Sequence, residues 1–256
     1  MAAQSPPGTQ AVRRAIMVLR AFRDGRSEWT LTELADALCL NKSTLHRLLA
    51  VLEAGGLVSR DDATGAYRLG PEVIVLGAQA LRSNDLRTVS RAELVTLARR
   101  AQESATLEVL VDRDVVILDE ALGPHVLAPG GEIGTRWPAH ATATGKVLLA
   151  SQERGRRAGR GRLAALTPRT ITTAKRLESE LALVRKRGYA TAVDELEVGF
   201  VGVGAPIRKH GAEVVAAIGI GGPVSRMSAA KLDMLGDLVR DAADRISGRL
   251  GWQGPS

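Results

Sequence analysis

The sequence predicts an α+β protein with two parts, a small helical N-terminal part that ends in a β-hairpin and a larger part built around an antiparallel sheet. Two observations lead to this prediction. In the first 54 residues the apolar residues recur at helical spacing in three short segments, and two alternating runs follow them. Beyond residue 86, four strand-like runs are interspersed with helical segments. With 256 residues, 45% of them hydrophobic, the chain can bury one large core or two modest ones.

Three short helices are predicted first. The apolar residues of the first helix have the expected spacing: Val12, Ala15, Ile16, Leu19 and Phe22. Thr30 and Glu33 fit a capping box at the start of the second helix, and Asn41 is a suitable N-cap for the third. Four leucines then fall at i, i+3, i+4 and i+7 and define the buried face of the third helix: Leu45, Leu48, Leu49 and Leu52.

A β-hairpin and a further helix follow. Residues 57–60 and 66–69 alternate like two short strands around a turn-forming segment, which is typical of a wing. Pro71 can occupy the first position of a helix over residues 71–86. This helix carries an apolar stripe with small members: Val73, Leu76, Gly77 and Ala80. The stripe suits either a helix-helix contact in a dimer or packing on its own domain.

The larger part is predicted to be mixed. In chain order we expect a helix at 89–103, strands at 107–111 and 115–122, a Gly/Pro-rich loop, helices at 141–150 and 175–187, strands at 201–207 and 214–220, and a last helix around 232–246. The predicted organisation is therefore a disordered leader (1–10), a winged helix-turn-helix (11–70), a linker helix (71–86) and a second domain (87–256).

Composition narrows the class of protein. No run of about 18 apolar residues or signal-like N-terminus is found, so we expect a cytoplasmic protein without a membrane partner. The single cysteine, Cys39, lies in an apolar helical stretch and is interpreted as core packing. The net charge is +7, but residues 1–85 hold 10 Lys and Arg against 9 Asp and Glu, so charge alone does not indicate DNA binding. Five arginines between Arg154 and Arg162 are interpreted as a solvated surface stretch, with a binding role left open.

The third helix carries the candidate DNA-reading groups. Its leucines place Ser43, His46 and Arg47 on the outward face, with Lys42 and Thr44 in the exposed first turn. In a helix-turn-helix such residues meet base edges in the major groove, where Arg can pair with guanine. Two wing residues would approach the flanking DNA backbone or the minor groove: Arg60 and Arg68. His46 fits packing against the first helix equally well, and a helix-turn-helix used only for protein contact stays open.

Catalysis is disfavoured by spacing. The segment around Thr144, Gly145 and Lys146 lacks the first glycine and the final Ser/Thr of a phosphate-binding loop. The four histidines are widely separated, and no His/Cys/Asp cluster has metal-ligand spacing. We therefore expect no enzyme, no metal and no cofactor.

Several motifs in register resemble one family. In the first part they are LTELA (31–35), KSTLHRLL (42–49), LEAGGLV (52–58) and YRLG (67–70). In the second they are PAHATATGKVLLA (138–150), GYAT (188–191), API (205–207) and GPVSR (222–226). Together, between about residues 12 and 250, they resemble the IclR family of transcription regulators. The resemblance implies a winged helix-turn-helix, a GAF-like effector-binding domain, homodimers that often pair into tetramers, a double-stranded DNA operator and no catalysis.

The resemblance also implies an effector site. Backbone N–H groups of Ala143 and Thr144, with Gly145 beside them, would receive an acid group at a helix N-terminus, where unpaired donors and the helix dipole favour an anion. Three further residues would form an apolar wall: Val126, Pro129 and Trp137.

Four pocket positions depart from relatives that bind very small keto acids. Where those relatives carry an Asp, a Cys and two Ser, this chain has small residues: Ala192, Gly202, Gly219 and Gly221. Side-chain hydrogen bonds are lost and volume is gained, so we expect a larger, flatter acid such as an aromatic one, stacked on Trp137. The alternative is that the four small residues let the backbone pack closely and leave no pocket.

Overall fold

A computed structural model describes residues 9–23, 26–125, 131–152 and 163–254. The chain divides into two compact units, Met1–Ser83 and Asn84–Ser256. Most of the predicted leader and the stretch from Arg154 to Arg162 lie outside the described residues.

The first unit is a winged helix-turn-helix followed by one further helix. Its elements are α1 (Gln10–Ala21), α2 (Leu31–Leu38), α3 (Lys42–Ala54), an antiparallel hairpin of β1 (Val58–Arg60) and β2 (Tyr67–Leu69), and α4 (Pro71–Arg82). Both capping predictions are confirmed. Thr30 and Glu33 form a reciprocal capping box, and the Asn41 side chain accepts a hydrogen bond from the Thr44 N–H at 2.9 Å.

The leucines of α3 anchor it in the core of the first unit. Leu45, Leu49 and Leu52 are buried against α1, α2 and the hairpin, and Leu48 is half-buried. The interpretation of Cys39 as a core residue is wrong. Cys39 ends α2 in the left-handed conformation (φ 53°), and this reversal of the chain leaves its side chain exposed.

The small-residue stripe of α4 does not pack on its own unit. No residue of α4 is buried, and of the stripe only Val73 is half-buried. A Cβ at Gly77 would meet no atom within 4 Å. The helix is also shorter than predicted, because Asn84 caps a new helix by accepting from the Arg87 N–H.

The second unit is a six-stranded antiparallel sheet with helices on both faces. In chain order it contains α5 (Asp85–Ala101), β3 (Ser104–Val111), β4 (Asp114–Ala121), β5 (Arg136–Pro138), α6 (Ala143–Ser151), α7 (Ala174–Arg187), β6 (Ala190–Val193), β7 (Phe200–Arg208), β8 (Val214–Pro223) and α8 (Leu232–Arg249). The strand order is β5-β4-β3-β8-β7-β6. The predicted α+β class is confirmed; the edge strands β5 and β6 were not predicted.

The two faces of this sheet bury different clusters. Leu94, Val203 and Val239 belong to the cluster between the sheet, α5 and α8. Val147 and Leu181 belong to the cluster beneath α6 and α7 on the opposite face. Small residues on β7 and β8 let α6 approach the sheet, since a Cβ at Gly204 would lie 2.9 Å from the Thr144 nitrogen.

Candidate functional site

The outward face of α3 is accessible, as the leucine spacing predicted. Lys42, Ser43, His46 and Arg47 are exposed, and Thr44 is half-buried. His46 thus lies on the exposed side of α3 together with Arg47. Neither Lys42 nor Arg47 forms an ion pair with another residue that the structure describes, so both cations face solvent without a partner.

The hairpin holds two exposed arginines at fixed positions. Arg60 lies opposite Tyr67 in the strand register, with its guanidinium 5.7 Å from the ring centroid, and Arg68 lies opposite Ser59. The turn between the strands is closed by Asp61, whose carboxylate accepts from the N–H groups of Ala63 and Thr64. The hydrogen bonds from Thr64 lower the pKa of Asp61. The wing is thus a defined loop that presents its arginines away from the core.

One polar cluster on the first unit was not predicted. Arg26 pairs with Glu33 and also lies over the Trp29 ring, 4.3 Å from its centroid. The hydrogen bond from Arg26, helped by those from Thr30, lowers the pKa of Glu33 to about 2. Trp29 in turn exchanges backbone hydrogen bonds with Tyr67, so this cluster ties the start of α2 to the hairpin.

The second unit contains a cavity of about 320 Å³ on the α6 side of the sheet. Its floor follows two rows of paired residues across the strands. One row runs from Glu120 through Thr106 to Gly219, and the other from Ser104 through Gly221 and Gly202 to Ala192. The first turn of α6, Trp137 and the loop before β7 form its walls.

Seven of the predicted effector residues line this cavity. They are Trp137, Ala143, Thr144, Ala192, Gly202, Gly219 and Gly221. Gly145 does not: its Cα faces the chain at Ala139, where a Cβ would lie 2.2 Å from the carbonyl oxygen. Val126 and Pro129 lie outside the described residues.

The first turn of α6 offers backbone donors to the cavity wall. Thr142 is the N-cap, and its hydroxyl accepts from the Gly145 N–H at 3.0 Å. The N–H groups of Ala143 and Thr144 are the first two of the helix and have no intrahelical acceptor. An acceptor in the cavity would therefore meet unpaired donors and the positive end of the helix dipole.

The glycines of the floor serve close packing as well as volume. A Cβ at Gly219 would lie 2.7 Å from the Thr144 methyl group, and one at Gly221 would lie 2.5 Å from the Phe200 ring. At Gly202 a Cβ would fit, 3.5 Å from Ala143. The small residues thus bring α6 and Phe200 close to the sheet, but a cavity remains, so the alternative without a pocket is wrong.

Carboxyl groups of the cavity were missed by sequence reasoning. Glu103 is buried and accepts two hydrogen bonds from the Arg226 guanidinium, at 2.5 and 2.7 Å. Gly222 makes room for this pair, since a Cβ there would lie 2.5 Å from the Glu103 carboxylate. Glu120 has a buried Oε1 that finds no partner among the described residues, and burial, aided by the charge of Glu132, raises its pKa.

Glu108 is the most enclosed of these acids. Its side chain is 2% exposed, Thr144 donates to Oε2 at 2.5 Å, and Thr106 donates to Oε1 at 2.6 Å. Burial raises the pKa of the Glu108 carboxyl, and the two hydroxyl donors oppose this only in part. Alternating polar residues on β3 (Ser104, Thr106 and Glu108) were the signal for this wall, but the strand was predicted to begin at Leu107.

A buried ion pair connects α6 to the loop before β7. Lys146 is 1% exposed, and its Nζ donates to Glu195 Oε1 at 2.5 Å and to the Thr191 carbonyl at 3.0 Å. The residues that follow Glu195 line the cavity, from Leu196 to Phe200. Lys146 therefore fixes one cavity wall to another.

Among the described helices, none combines the length and the apolar character that crossing a bilayer requires. A basic, exposed helix of a helix-turn-helix, on the same chain as a domain with a partly polar cavity, defines the class of ligand-responsive DNA-binding regulators.

Comparisons with known proteins agree with this class. The family model for the IclR helix-turn-helix domain matches residues 11–62, and that for the bacterial transcriptional regulator IclR C-terminal domain matches residues 78–248. The chain belongs to the IclR family of transcriptional regulators.

Individual relatives align along nearly the whole chain. The HTH-type transcriptional regulator XynR of Escherichia coli (strain K12) is 32% identical over 255 residues, which cover 96% of this chain and 99% of XynR. The glycerol operon regulatory protein of Streptomyces griseus is 35% identical over 245 residues, 94% and 96% of the two chains. A solved structure of an IclR homolog complexed with 4-hydroxybenzoate, from Microbacterium hydrocarbonoxydans, is 26% identical, has a TM-score of 0.77 and covers 94% of this chain and 99% of that one. These relatives are named as regulators or as a homolog of one, which agrees with a DNA-binding transcriptional regulator.

Proposed function

We propose that α3 enters the major groove of a double-stranded operator. In this proposal the contacts come from the exposed side of α3 and from the wing: Lys42, Ser43, Thr44, His46, Arg47, Arg60 and Arg68. The observation that carries it is Arg47, which lies on the exposed face of a helix anchored by buried leucines and forms no ion pair with another described residue. Arg47 reads a base, whereas Arg60 and Arg68 contact the phosphate backbone.

Fluorescence anisotropy with DNA from the region upstream of the gene tests this part. Arg47→Ala removes a base contact worth about 1–3 kcal/mol, so the Kd should rise about 5- to 150-fold. Arg82→Ala is the matched control, since Arg82 is an exposed arginine of α4 whose side chain, among the described residues, bonds only Gln79. Equal affinity of both variants and the wild type would contradict the assignment of α3.

We further propose that the cavity binds a small organic acid, with aromatic acids preferred. The acid group receives hydrogen bonds from the N–H groups of Ala143 and Thr144, and Trp137 covers the flat part of the ligand. Support comes from the open first turn of α6 at the cavity wall and from the 4-hydroxybenzoate in the related structure. Ala192, Gly202, Gly219 and Gly221 form the floor in this proposal, and Gly145 positions the turn.

Calorimetry with 4-hydroxybenzoate, benzoate, glyoxylate and pyruvate tests the effector class. We expect the two aromatic acids to bind more tightly, and Trp137→Ala to weaken them more than it weakens glyoxylate. Tighter binding of glyoxylate or pyruvate than of both aromatic acids would refute the proposed preference.

The regulator is proposed to act in the cytoplasm as a homodimer or a dimer of dimers. Large apolar side chains exposed on α1 and α4 support an assembly: Val12, Ile16, Ile74, Val75 and Leu76. The effector would shift the population of subunit arrangements that present two α3 helices at the half-site spacing. Light scattering after gel filtration tests the assembly, and a monomer at micromolar concentration would contradict it.

A further inference from the structure

Glu108 occupies the corner of the cavity that an acid effector is proposed to use. Thr144, the second residue of α6, contributes one of the two N–H groups proposed to hold the acid. Its hydroxyl donates a hydrogen bond to Glu108 Oε2 at 2.5 Å. The chain's own carboxyl group and the carboxylate of a ligand therefore meet at the same first turn of α6.

No cation neutralises Glu108 among the described residues. On α6, Lys146 pairs with Glu195, and on the neighbouring strands Glu108 lies opposite Ile117 and Ala217. The remaining charged or titratable side chains of the cavity are Glu103, Glu120, His125, Glu197 and Arg226. Arg226 is already held by Glu103. A ligand carboxylate thus enters a cavity in which acidic groups outnumber basic ones.

Two carboxylates that share a desolvated site do not both stay ionised, because their repulsion and the loss of hydration favour a proton on one of them. Burial already raises the pKa of Glu108, and so protonation of Glu108 costs less free energy than protonation of an exposed glutamate. A protonated carboxyl is also a hydrogen-bond donor, whereas an ionised one can only accept.

We propose that Glu108 is a specificity-determining residue of the effector cavity: a carboxylate ligand binds together with one proton, which Glu108 holds and donates to the ligand as a hydrogen bond. The inference rests on the proposed organic-acid effector. One O–H bond forms on Glu108 with a proton from solvent, and no other covalent bond changes. An ionised Glu108 excludes anions from the empty cavity, so the site discriminates against ligands that cannot share this proton.

Isothermal titration calorimetry with 4-hydroxybenzoate provides the test. Performed above the folded-state pKa of Glu108, in buffers of different ionisation enthalpy, it should give an uptake of about one proton per bound ligand. The Kd of the wild type should rise about tenfold per pH unit above the folded-state pKa of Glu108. Glu108→Gln, whose amide donates without titrating, should show no uptake and no such slope, and at the alkaline end it should bind more tightly than the wild type.

Glu120→Gln is the matched control. Glu120 lines the same cavity and has a raised pKa, but its side chain does not bond Thr144. This variant should keep the proton uptake and the slope of the wild type. Loss of the uptake in Glu120→Gln together with its retention in Glu108→Gln would overturn the inference.

The outcomes separate the two proposals. Acid binding by the wild type without proton uptake at any pH tested, up to the alkaline end, refutes the role of Glu108 alone, whether or not the variant folds, and leaves the organic-acid effector intact. If 4-hydroxybenzoate, benzoate and glyoxylate bind neither the wild type nor Glu108→Gln at any pH tested, the organic-acid effector and this inference both fail.

Discussion

The ion pair of Lys146 and Glu195 should make the second unit sensitive to a single substitution. Lys146→Met keeps the bulk of the side chain but removes the charge and two hydrogen bonds, those to Glu195 Oε1 and to the Thr191 carbonyl. Both acceptors then remain in a buried site, since in the wild type the side chain of Lys146 is 1% exposed and that of Glu195 is 12% exposed. Breaking a buried pair from one side costs about 3–5 kcal/mol, because the remaining charge stays buried without a partner.

Urea unfolding followed by circular dichroism measures this loss. The free energy of unfolding of the second unit should fall by about 3–5 kcal/mol in Lys146→Met. It should fall by clearly less in the double variant with Glu195→Gln, which removes the Glu195 charge, since the other carboxylate near Lys146, that of Glu180, keeps its ion pair with Arg187. Lys175→Met, on the exposed side of α7, should change the stability by no more than about 0.5 kcal/mol.

The loss should also depend on pH. Burial raises the pKa of Glu195, and Lys146 opposes this, so removal of Lys146 raises that pKa further. A carboxyl whose folded-state pKa lies above its unfolded value of 4.5 loses stability as the pH rises through the folded-state pKa. The difference in the free energy of unfolding between the wild type and Lys146→Met should therefore increase from mildly acidic to neutral pH. A gap below about 1 kcal/mol at neutral pH, or one that narrows, would refute the reasoning.

Three further substitutions have defined outcomes. Leu49→Ala, in the fully buried face of α3, should lower the free energy of unfolding of the first unit by about 2–5 kcal/mol. It should abolish operator binding, measured by anisotropy, and leave ligand binding by the second unit, measured by calorimetry, unchanged. Gly204→Ala places a Cβ 2.9 Å from the Thr144 nitrogen, so it should displace the first turn of α6. We expect it to lower the free energy of unfolding in urea by about 1–3 kcal/mol and to weaken ligand binding. Gly248→Ala, whose Cβ meets no atom within 4 Å, is the control and should be tolerated. Glu108→Gln should stabilise the ligand-free protein at neutral pH. Because burial raises the folded-state pKa of Glu108, the stability that the protonated carboxyl contributes to the wild type is lost as the pH rises above the unfolded pKa of 4.5. Equal pH profiles of the two proteins in thermal unfolding would contradict this prediction.

The first unit was predictable from sequence because its signals are local. The leucines of α3, the capping box at Thr30 and the N-cap at Asn41 each act within about two turns of helix. Cys39 was misplaced because helical spacing continues through it while the chain reverses there in a left-handed conformation. β5 and β6 were missed because edge strands of three and four residues are too short to show a period.

The cavity was predictable only in part. Its glycines and the start of α6 came from the resemblance of motifs to the IclR family. The acidic groups depend on contacts across the fold: Glu103 meets Arg226 across 123 residues, and Glu108 is enclosed only when α6 lies over β3. These contacts join residues that are distant in sequence, so the spacing of neighbouring residues does not predict them. A glutamate in a strand is therefore predicted to face solvent unless the element that packs over it is known.

The distribution of side chains around the cavity determines where its selectivity can reside. Gly202, Gly219 and Gly221 form much of the floor and present only backbone, which in a sheet is already paired with the neighbouring strands. Polar recognition of a ligand must therefore come from the other lining groups, which include β3, β4, the first turn of α6, the Glu103–Arg226 pair, His125 and Glu197. Within the part of the chain that the structure describes, α6 is also fixed by the buried ion pair of Lys146 to Glu195, which precedes the lining residues 196–200. A ligand that contacts the first turn of α6 is therefore linked, through Lys146, to both walls. A ligand that contacts only the glycine floor would bind two arrangements of these walls equally well and would not shift their populations.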